Sequence, residues 1–304
     1  MAVPMRSTDF RSIVEPILNE EFDGIYDQRA DEWKQVFTER RGIPRNYHEE
    51  PVLYGFGAAP ELPDGMPVTY QSGGVLFNAR YVYKVYGLAF ALTKVLVEDG
   101  DHISIGQTYA KHLAQSLIET KETLCANILN RSFNGSYAGG DGVSLVNSAH
   151  PIASGTFSNQ LSTAANLSQT SLEQMLIQIR QAVDNNGKRI RLTPESLVVS
   201  PSNMFQAEVL LKSVLRTGNA NNDINPVKSM GLLGKGASVL SRLTSTTAWW
   251  VKTDAKVGLQ LMMRRALEKS MEGDFETDSM RYKATERYIP GWTDPRTLYG
   301  TAGI

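Results

Sequence analysis

The sequence predicts an α+β chain built from more than one unit, and three observations carry that reading. Apolar residues recur every three or four positions from about Gly106 to Phe133, the pattern of one long amphipathic helix. A short buried-type strand at Glu195–Ser200 leads into a helix opened by Ser200-Pro201, the signature of an α/β layer. Residues 42–86 form two extended runs around a proline-rich tip. The chain has 304 residues, 41% of them hydrophobic and 21% charged, so a sizeable core is available without staples. The formal net charge is −1 and no Lys/Arg run stands out, which disfavours a dedicated nucleic-acid binder that must neutralise phosphates. Little long-range repulsion opposes packing many copies of such a chain together.

Taken in order, the elements begin with helical spacing from Ser7 to Arg40. Phe22, Ile25, Tyr26, Ala30, Trp33, Val36 and Phe37 form its stripe, with Pro16 expected as the first residue of the main helix. That stripe must be covered by the chain's own domain or by a partner. Tyr47 and Val52–Phe56 make one extended run and Val68–Phe77 another. Between them, three prolines and Asp64-Gly65 mark a turn-rich tip. A lone two-stranded hairpin is marginal in water, and its open edges invite pairing with another chain. Tyr81, Tyr83, Val85 and Leu88 continue as a strand toward an acidic turn at Glu98–Asp101.

The long helix follows and would be roughly 40 Å at 1.5 Å per residue. A polar stretch at 135–167 precedes a helix over Ser171–Asp184, and the helix after Pro201 should reach Leu215. Asn219–Pro226 is a polar loop. Trp249 and Trp250 fall on opposite faces of a strand, and extended segments at Val257–Met263 and Ser279–Ile289 close the chain.

Nothing in the sequence demands an enzyme. Gly139-Gly-Asp-Gly142 is followed by Val143-Ser-Leu rather than the Lys-Ser/Thr of a phosphate loop, so it reads as a tight turn. His48, His102, His112 and His150 show no metal-ligand spacing. Ser148, His150 and Asp141 could be drawn as a hydrolase triad, but the Gly-x-Ser-x-Gly elbow is missing. Glu119, Lys121 and Glu122 read as a solvated helix face. No catalytic, cofactor-binding or metal residue is therefore assigned. The single cysteine, Cys125, excludes an internal disulfide and reads as a small core residue of a chain made in a reducing compartment. No stretch approaches the roughly 20 apolar residues of a membrane span, and the start Met1–Met5 lacks a signal-peptide block.

The order of these elements resembles a particular family. Tyr86-Gly-Leu-Ala-Phe-Ala-Leu92 before Glu98-Asp-Gly, Ile118-Glu-Thr-Lys-Glu122 and Ala126-Asn-Ile-Leu-Asn-Arg131 resemble the spine helix of Mu-like major head subunits. So do Gly139-Gly-Asp-Gly-Val143, Ser148-Ala-His-Pro151, Asp223-Ile-Asn225, Lys228-Ser-Met-Gly231 and the closing Gly291-Trp-Thr-Asp-Pro-Arg296 with Tyr299-Gly300. Each motif is weak alone; their order is specific.

The resemblance implies a tailed-phage capsid protein of the Hong Kong 97 type. Its parts would be an N-terminal arm (1–41), an extended loop (42–86), a peripheral domain (87–136 and 257–290) and an axial domain (137–256 and 291–304). The implied function is self-assembly into hexamers and pentamers of an icosahedral head enclosing double-stranded DNA. The product would belong to the virion and be assembled in the host bacterial cytoplasm, with no cofactor and no membrane partner.

Scaffolding, portal and decoration proteins are the further partners such a shell implies. With only residues 1–41 ahead of the loop, any scaffold is expected to be a separate protein. Because Glu20, Glu21, Asp23, Asp27 and Asp31 make the arm acidic, DNA contact is expected to be weak and non-specific. No lysine lies between Arg45 and Arg80, Lys84 being the first, so no covalent cross-link from the loop tip is expected. The expected intersubunit contacts are Trp33, Phe37, Tyr54, Phe56, Leu62 and Met66. An encapsulin-like nanocompartment shell and, more remotely, a cytosolic α/β hydrolase using His150 are the alternatives.

Overall fold

The computed structural model describes residues 7–27, 31–42, 45–93, 95–96, 102–216, 223–274 and 279–304. Helix α1 (Ser7–Tyr26) carries Pro16 in its interior rather than at its start. A proline there removes one helical hydrogen bond, and that loss is outweighed by burial of Val14, Leu18 and Phe22 along one stripe. The helical spacing expected to continue to Phe37 does not describe one helix. A 3-10 turn at Glu32–Gln35 and strand β1 (Thr38–Arg41) replace its second half; Ala30 lies outside the described residues.

Strands β2 (Tyr47–Tyr54) and β3 (Gly74–Val82) form an antiparallel hairpin, Tyr47 opposite Val82 and Tyr54 opposite Gly74. Its strand-free tip, residues 55–73, is longer than the proline cluster alone suggests. Strand β4 (Lys84–Leu92) follows directly; the acidic turn at Glu98–Asp101 lies outside the described residues. Helix α2 (His102–Asn130) is 29 residues long and begins a turn earlier than its apolar periodicity indicates. A small hairpin of β5 (His150–Ile152) and β6 (Gly155–Phe157) interrupts the polar stretch.

Helix α3 (Gln169–Arg180) opens on a reciprocal cap between Ser168 and Ser171. Strand β7 (Pro194–Val199) then leads through a 3-10 turn at Pro201–Asn203 into helix α4 (Met204–Lys212). Ser200 occupies the expected capping position, yet its hydroxyl makes no capping bond. The polar loop expected at Asn219–Pro226 falls largely on residues 217–222, which are not described. Strands β8 (Ala237–Val239), β9 (Trp249–Thr253), β10 (Leu259–Gly273), β11 (Met280–Trp292) and β12 (Leu298–Thr301) complete the chain.

Two four-stranded sheets organise these elements. The first has the order β1-β10-β11-β4, with β1 parallel to β10 and the other pairs antiparallel. The second has the order β12-β9-β7-β8. Helix α1 lies on α2, where Val14, Leu18 and Phe22 meet Ala110, Leu113, Ala114 and Leu117, and Met271, Tyr282 and Ala284 of the first sheet close the cluster. The C-terminal half of α2 packs between the two sheets, joining Cys125 and Leu129 to Val198, Trp250, Leu298 and Tyr288. Trp249 points into a separate cluster beneath α3 and α4, so the two tryptophans do face opposite sides of β9.

Candidate functional site

The feature that stands out is the β2–β3 hairpin, which has a buried polar root and an uncovered apolar tip. At the root, Glu50 is 7% exposed and its carboxylate collects donors from four places. The Arg40 guanidinium and the Thr293 hydroxyl donate to it, His48 Nε2 lies 3.1 Å away, and Gln260 Nε2 is at 3.4 Å. The Tyr81 hydroxyl donates to the Trp292 carbonyl at 2.5 Å, and its burial pushes the phenol above its ordinary pKa. Arm, hairpin, first sheet and C-terminal segment are thus tied at one point. A buried carboxylate needs such donors, and losing one leaves charge unpaired.

Close backbone approach fixes the root from the other side. A Cβ on Gly140 would lie 2.8 Å from Ala79 Cα, so only glycine lets the 139–142 turn meet β3. That turn is the Gly-Gly-Asp-Gly segment, and its role is packing. Further out, Asn185 Nδ2 donates to the Leu53 carbonyl at 2.8 Å and Lys188 Nζ to the Phe56 carbonyl at 2.7 Å. These bonds steer the loop by its backbone and leave its side chains free.

The six residues expected at subunit contacts divide in two. Phe56, Leu62 and Met66 are 61%, 55% and 61% exposed at the tip, and Tyr54 is half-exposed at the end of β2. Trp33 and Phe37, however, are 2% and 3% exposed inside the chain's own core, against Leu129 and Trp250 among others. That corrects the expectation for those two: their apolar surface is already covered within one chain. Sequence reasoning missed Val68 and Tyr70 as exposed tip residues, the latter 96% exposed. The sequence reading places both in the extended run Val68–Phe77, whose strand begins only at Gly74.

The arm is held by charges that sequence position disguises. Lys121 and Glu122, read as a solvated face, are buried. Lys121 Nζ stands 2.9 Å from Glu286 of β11 and also meets the Tyr26 hydroxyl, which donates to Glu286. Burial first, and then the Glu286 charge, push the Tyr26 phenol well above its ordinary range. Glu122 accepts the Glu32 and Trp33 amides at 2.7 and 3.1 Å, capping the 3-10 turn, and its burial raises the carboxyl pKa. Only Glu119 of that trio is exposed, paired with Arg242.

The hydrolase alternative fails on geometry. His150 is fully buried, with Nδ1 at 2.6 Å from Asp141 and Nε2 at 3.0 Å from Asn159 Oδ1. Asn159 Nδ2 in turn reaches the Leu145, Pro295 and Leu298 carbonyls. Both ring nitrogens therefore serve a structural hub that joins the polar stretch to the C-terminal segment, and neither faces Ser148. Among the described residues there is no cluster of three metal-ligating side chains, and no helix is long and apolar enough to cross a membrane.

A family model described as phage capsid protein matches residues 80–300, and the chain belongs to that family. Its fold is shared with solved capsids at low sequence identity. The capsid of cyanophage P-SCSP1u aligns with a TM-score of 0.57 and 13% identity, covering 91% of this chain and 89% of that one. The mature capsid of bacteriophage PhiM1 gives 0.53 and 12%, covering 90% and 87%. A virus-like particle from Pyrococcus furiosus gives 0.53 and 11%, covering 94% and 98%. No curated protein matches the chain. The fold is thus the Hong Kong 97 type, as the order of motifs implies. The protein is a phage capsid protein, with a structural rather than an enzymatic role. The match is to the family as a whole; the narrower likeness to Mu-like subunits rests on the motifs alone.

Proposed function

We propose that this chain is the major head subunit, forming hexamers and pentamers of an icosahedral shell around double-stranded DNA. Assembly in the host cytoplasm, with scaffolding, portal and decoration proteins as further partners, belongs to the same reading. The observation that carries it is the hairpin: a lever fixed by Glu50 at its root, with Phe56, Leu62 and Met66 bare at its end. Exposed apolar surface of this kind on an extended element calls for a neighbour to cover it. Tyr54, Phe56, Leu62 and Met66 are the proposed contacts.

Residues 87–136 and 257–290 would form the peripheral domain around α2, and 137–256 with 291–304 the axial domain around the second sheet. The acidic arm disfavours tight phosphate binding, so DNA contact would be weak and non-specific. The nanocompartment alternative keeps the fold but lacks an assigned cargo groove, and the family match favours the phage head.

Electron microscopy of the expressed protein, alone and with its co-expressed neighbours, tests the proposal. Closed shells or capsomer rings are expected from the wild-type chain. Shell yield should fall at least tenfold in a Phe56→Asp/Leu62→Asp/Met66→Asp variant that still folds. A wild-type chain that stays a monodisperse monomer, or a variant that assembles normally, would overturn it. With no lysine from 46 to 79, mature particles should also run as single subunits on denaturing gels.

A further inference from the structure

The turn at residues 184–188 stands beside the hairpin and is built to be stiff. Asp184 Oδ1 accepts the Asn186 and Lys188 amides, each at 2.8 Å, and the Gly187 amide donates to the Asp184 carbonyl at 3.1 Å. Gly187 takes a φ of +80°, and a Cβ there would lie 2.5 Å from Ser154 Oγ, so this left-handed, crowded position suits glycine. The platform behind the turn is equally fixed. The Ala153 amide donates to the Asn185 carbonyl at 2.9 Å, and the buried Arg296 donates through Nε to the Val183 carbonyl at 2.7 Å.

From this platform three side chains reach the hairpin, and all of them donate to main-chain carbonyls. Asn185 Nδ2 meets the Leu53 carbonyl at 2.8 Å, Asn186 Nδ2 the Phe56 carbonyl at 3.1 Å, and Lys188 Nζ the Phe56 and Gly57 carbonyls at 2.7 and 3.4 Å. These carbonyls lie where the β2–β3 ladder ends: its register shifts between Val52 and Leu53, and its last pair is Tyr54 with Gly74. Two strands alone are marginally stable, so nothing in the ladder itself holds the hairpin straight beyond that point. The Glu50 root is one fixed point, and the turn supplies a second at Phe56, about 20 Å further out along an extended chain. Over that length a slip of about 2 Å at Phe56 swings the hairpin by about 6°.

We infer that the 184–188 turn is a positioning strut: Asn185, Asn186 and Lys188 fix the direction of the hairpin in the free chain and present its tip already aimed. The inference rests on the proposed role of the hairpin in the shell and adds what orients it. A contact that withheld the tip from assembly would cover it, whereas Phe56, Leu62 and Met66 stay exposed while these bonds are made. Donation to backbone carbonyls also leaves the tip side chains unread, so the strut holds the path of the loop whatever residues the tip carries. Ordering the hairpin in advance removes that entropy cost from association. The Lys188 bond should contribute most, because a charged donor binds a carbonyl more strongly than a carboxamide does.

The test uses the full chain, dilute and unassembled, with spin labels at Glu61→Cys on the tip and Gln174→Cys on α3, both exposed, while Cys125 is buried. Double electron–electron resonance should give one narrow distance distribution. Adding Asn185→Ala/Asn186→Ala/Lys188→Met should widen it at least twofold, with the circular dichroism unchanged. Lys188→Arg should keep it narrow, because a guanidinium still donates to the Phe56 carbonyl. Without the label cysteines, the triple variant should need at least a threefold higher concentration to assemble. Equal widths with and without the three substitutions overturn the inference. So does a triple variant that assembles at lower concentration than wild type, the mark of a restraint rather than a guide. Should the triple variant fail to fold, Lys188→Met alone carries the same comparison. A wild-type chain that never assembles refutes the shell reading, and the distance widths then still decide the strut.

Discussion

Replacing Lys121 by methionine keeps most of the side-chain stem in place and removes its charge. Glu286, whose side chain is 1% exposed, then has lost the ammonium 2.9 Å from its carboxylate. Breaking a buried pair from one side costs about 3–5 kcal/mol, because the remaining charge stays desolvated and uncompensated. With an unfolding entropy of about 2.1 cal/mol/K per residue, that corresponds to a melting temperature lower by about 5–8 °C for a chain of this length. The Tyr26 hydroxyl still donates to Glu286, which lessens the loss without replacing a full charge.

The companion variant Lys121→Met/Glu286→Leu removes both charges. It should melt above the single variant, even though Tyr26 loses its acceptor at a cost of about 1–3 kcal/mol. Scanning calorimetry on unassembled subunits reads both values, and the double-variant cycle isolates the coupling. A Lys121→Met protein that melts within 1 °C of wild type, or a double variant less stable than the sum of its singles, would show that this ion pair does not hold the arm.

Three further outcomes are expected. Gly140→Ala places a Cβ 2.8 Å from Ala79 Cα and 3.0 Å from Ala79 N, and backbone cannot yield cheaply. A loss of about 1–3 kcal/mol, with faster proteolysis of the hairpin, should follow, and unchanged melting would contradict the close approach. Burial works to raise the Glu32 carboxyl, but hydrogen bonds from the Ser241 amide and hydroxyl and the nearby Arg242 together hold it below its ordinary 4.5. A depressed folded-state value means stability present above the unfolded pKa and lost as pH falls through the folded one. Glu32→Gln should therefore flatten the acid side of the melting-temperature profile, and a profile as steep as wild type would dispose of that account. Burial pushes the Cys125 thiol far up, so a maleimide should label it only after unfolding; rapid stoichiometric labelling of the native chain would refute its core position.

Much of the fold was legible because the relevant signals are local. The periodicity of α2, the strand-to-helix step at Ser200-Pro201, the opposed Trp249 and Trp250, and the proline-rich tip each follow from backbone geometry within a few residues. Phe56, Leu62 and Met66 were legible as exposed apolar residues because they sit on an element that cannot form a core of its own.

Pairing across the chain was not legible. Helical spacing through Trp33 and Phe37 recorded an apolar stripe but not what covers it, and tertiary contacts turned that segment into a 3-10 turn and a strand on β10. Lys121 and Glu122 looked solvated because their partners, Glu286 and the Glu32–Trp33 amides, are distant in sequence. The sequence by itself determined the long helix, the strand-to-helix step at Ser200-Pro201 and the turn-rich hairpin tip, but not the backbone form of the segment from Trp33 to Arg41. Only the tertiary structure decided which charges are buried and which apolar residues remain for a neighbour. Burial is a property of long-range packing, which local pattern does not encode.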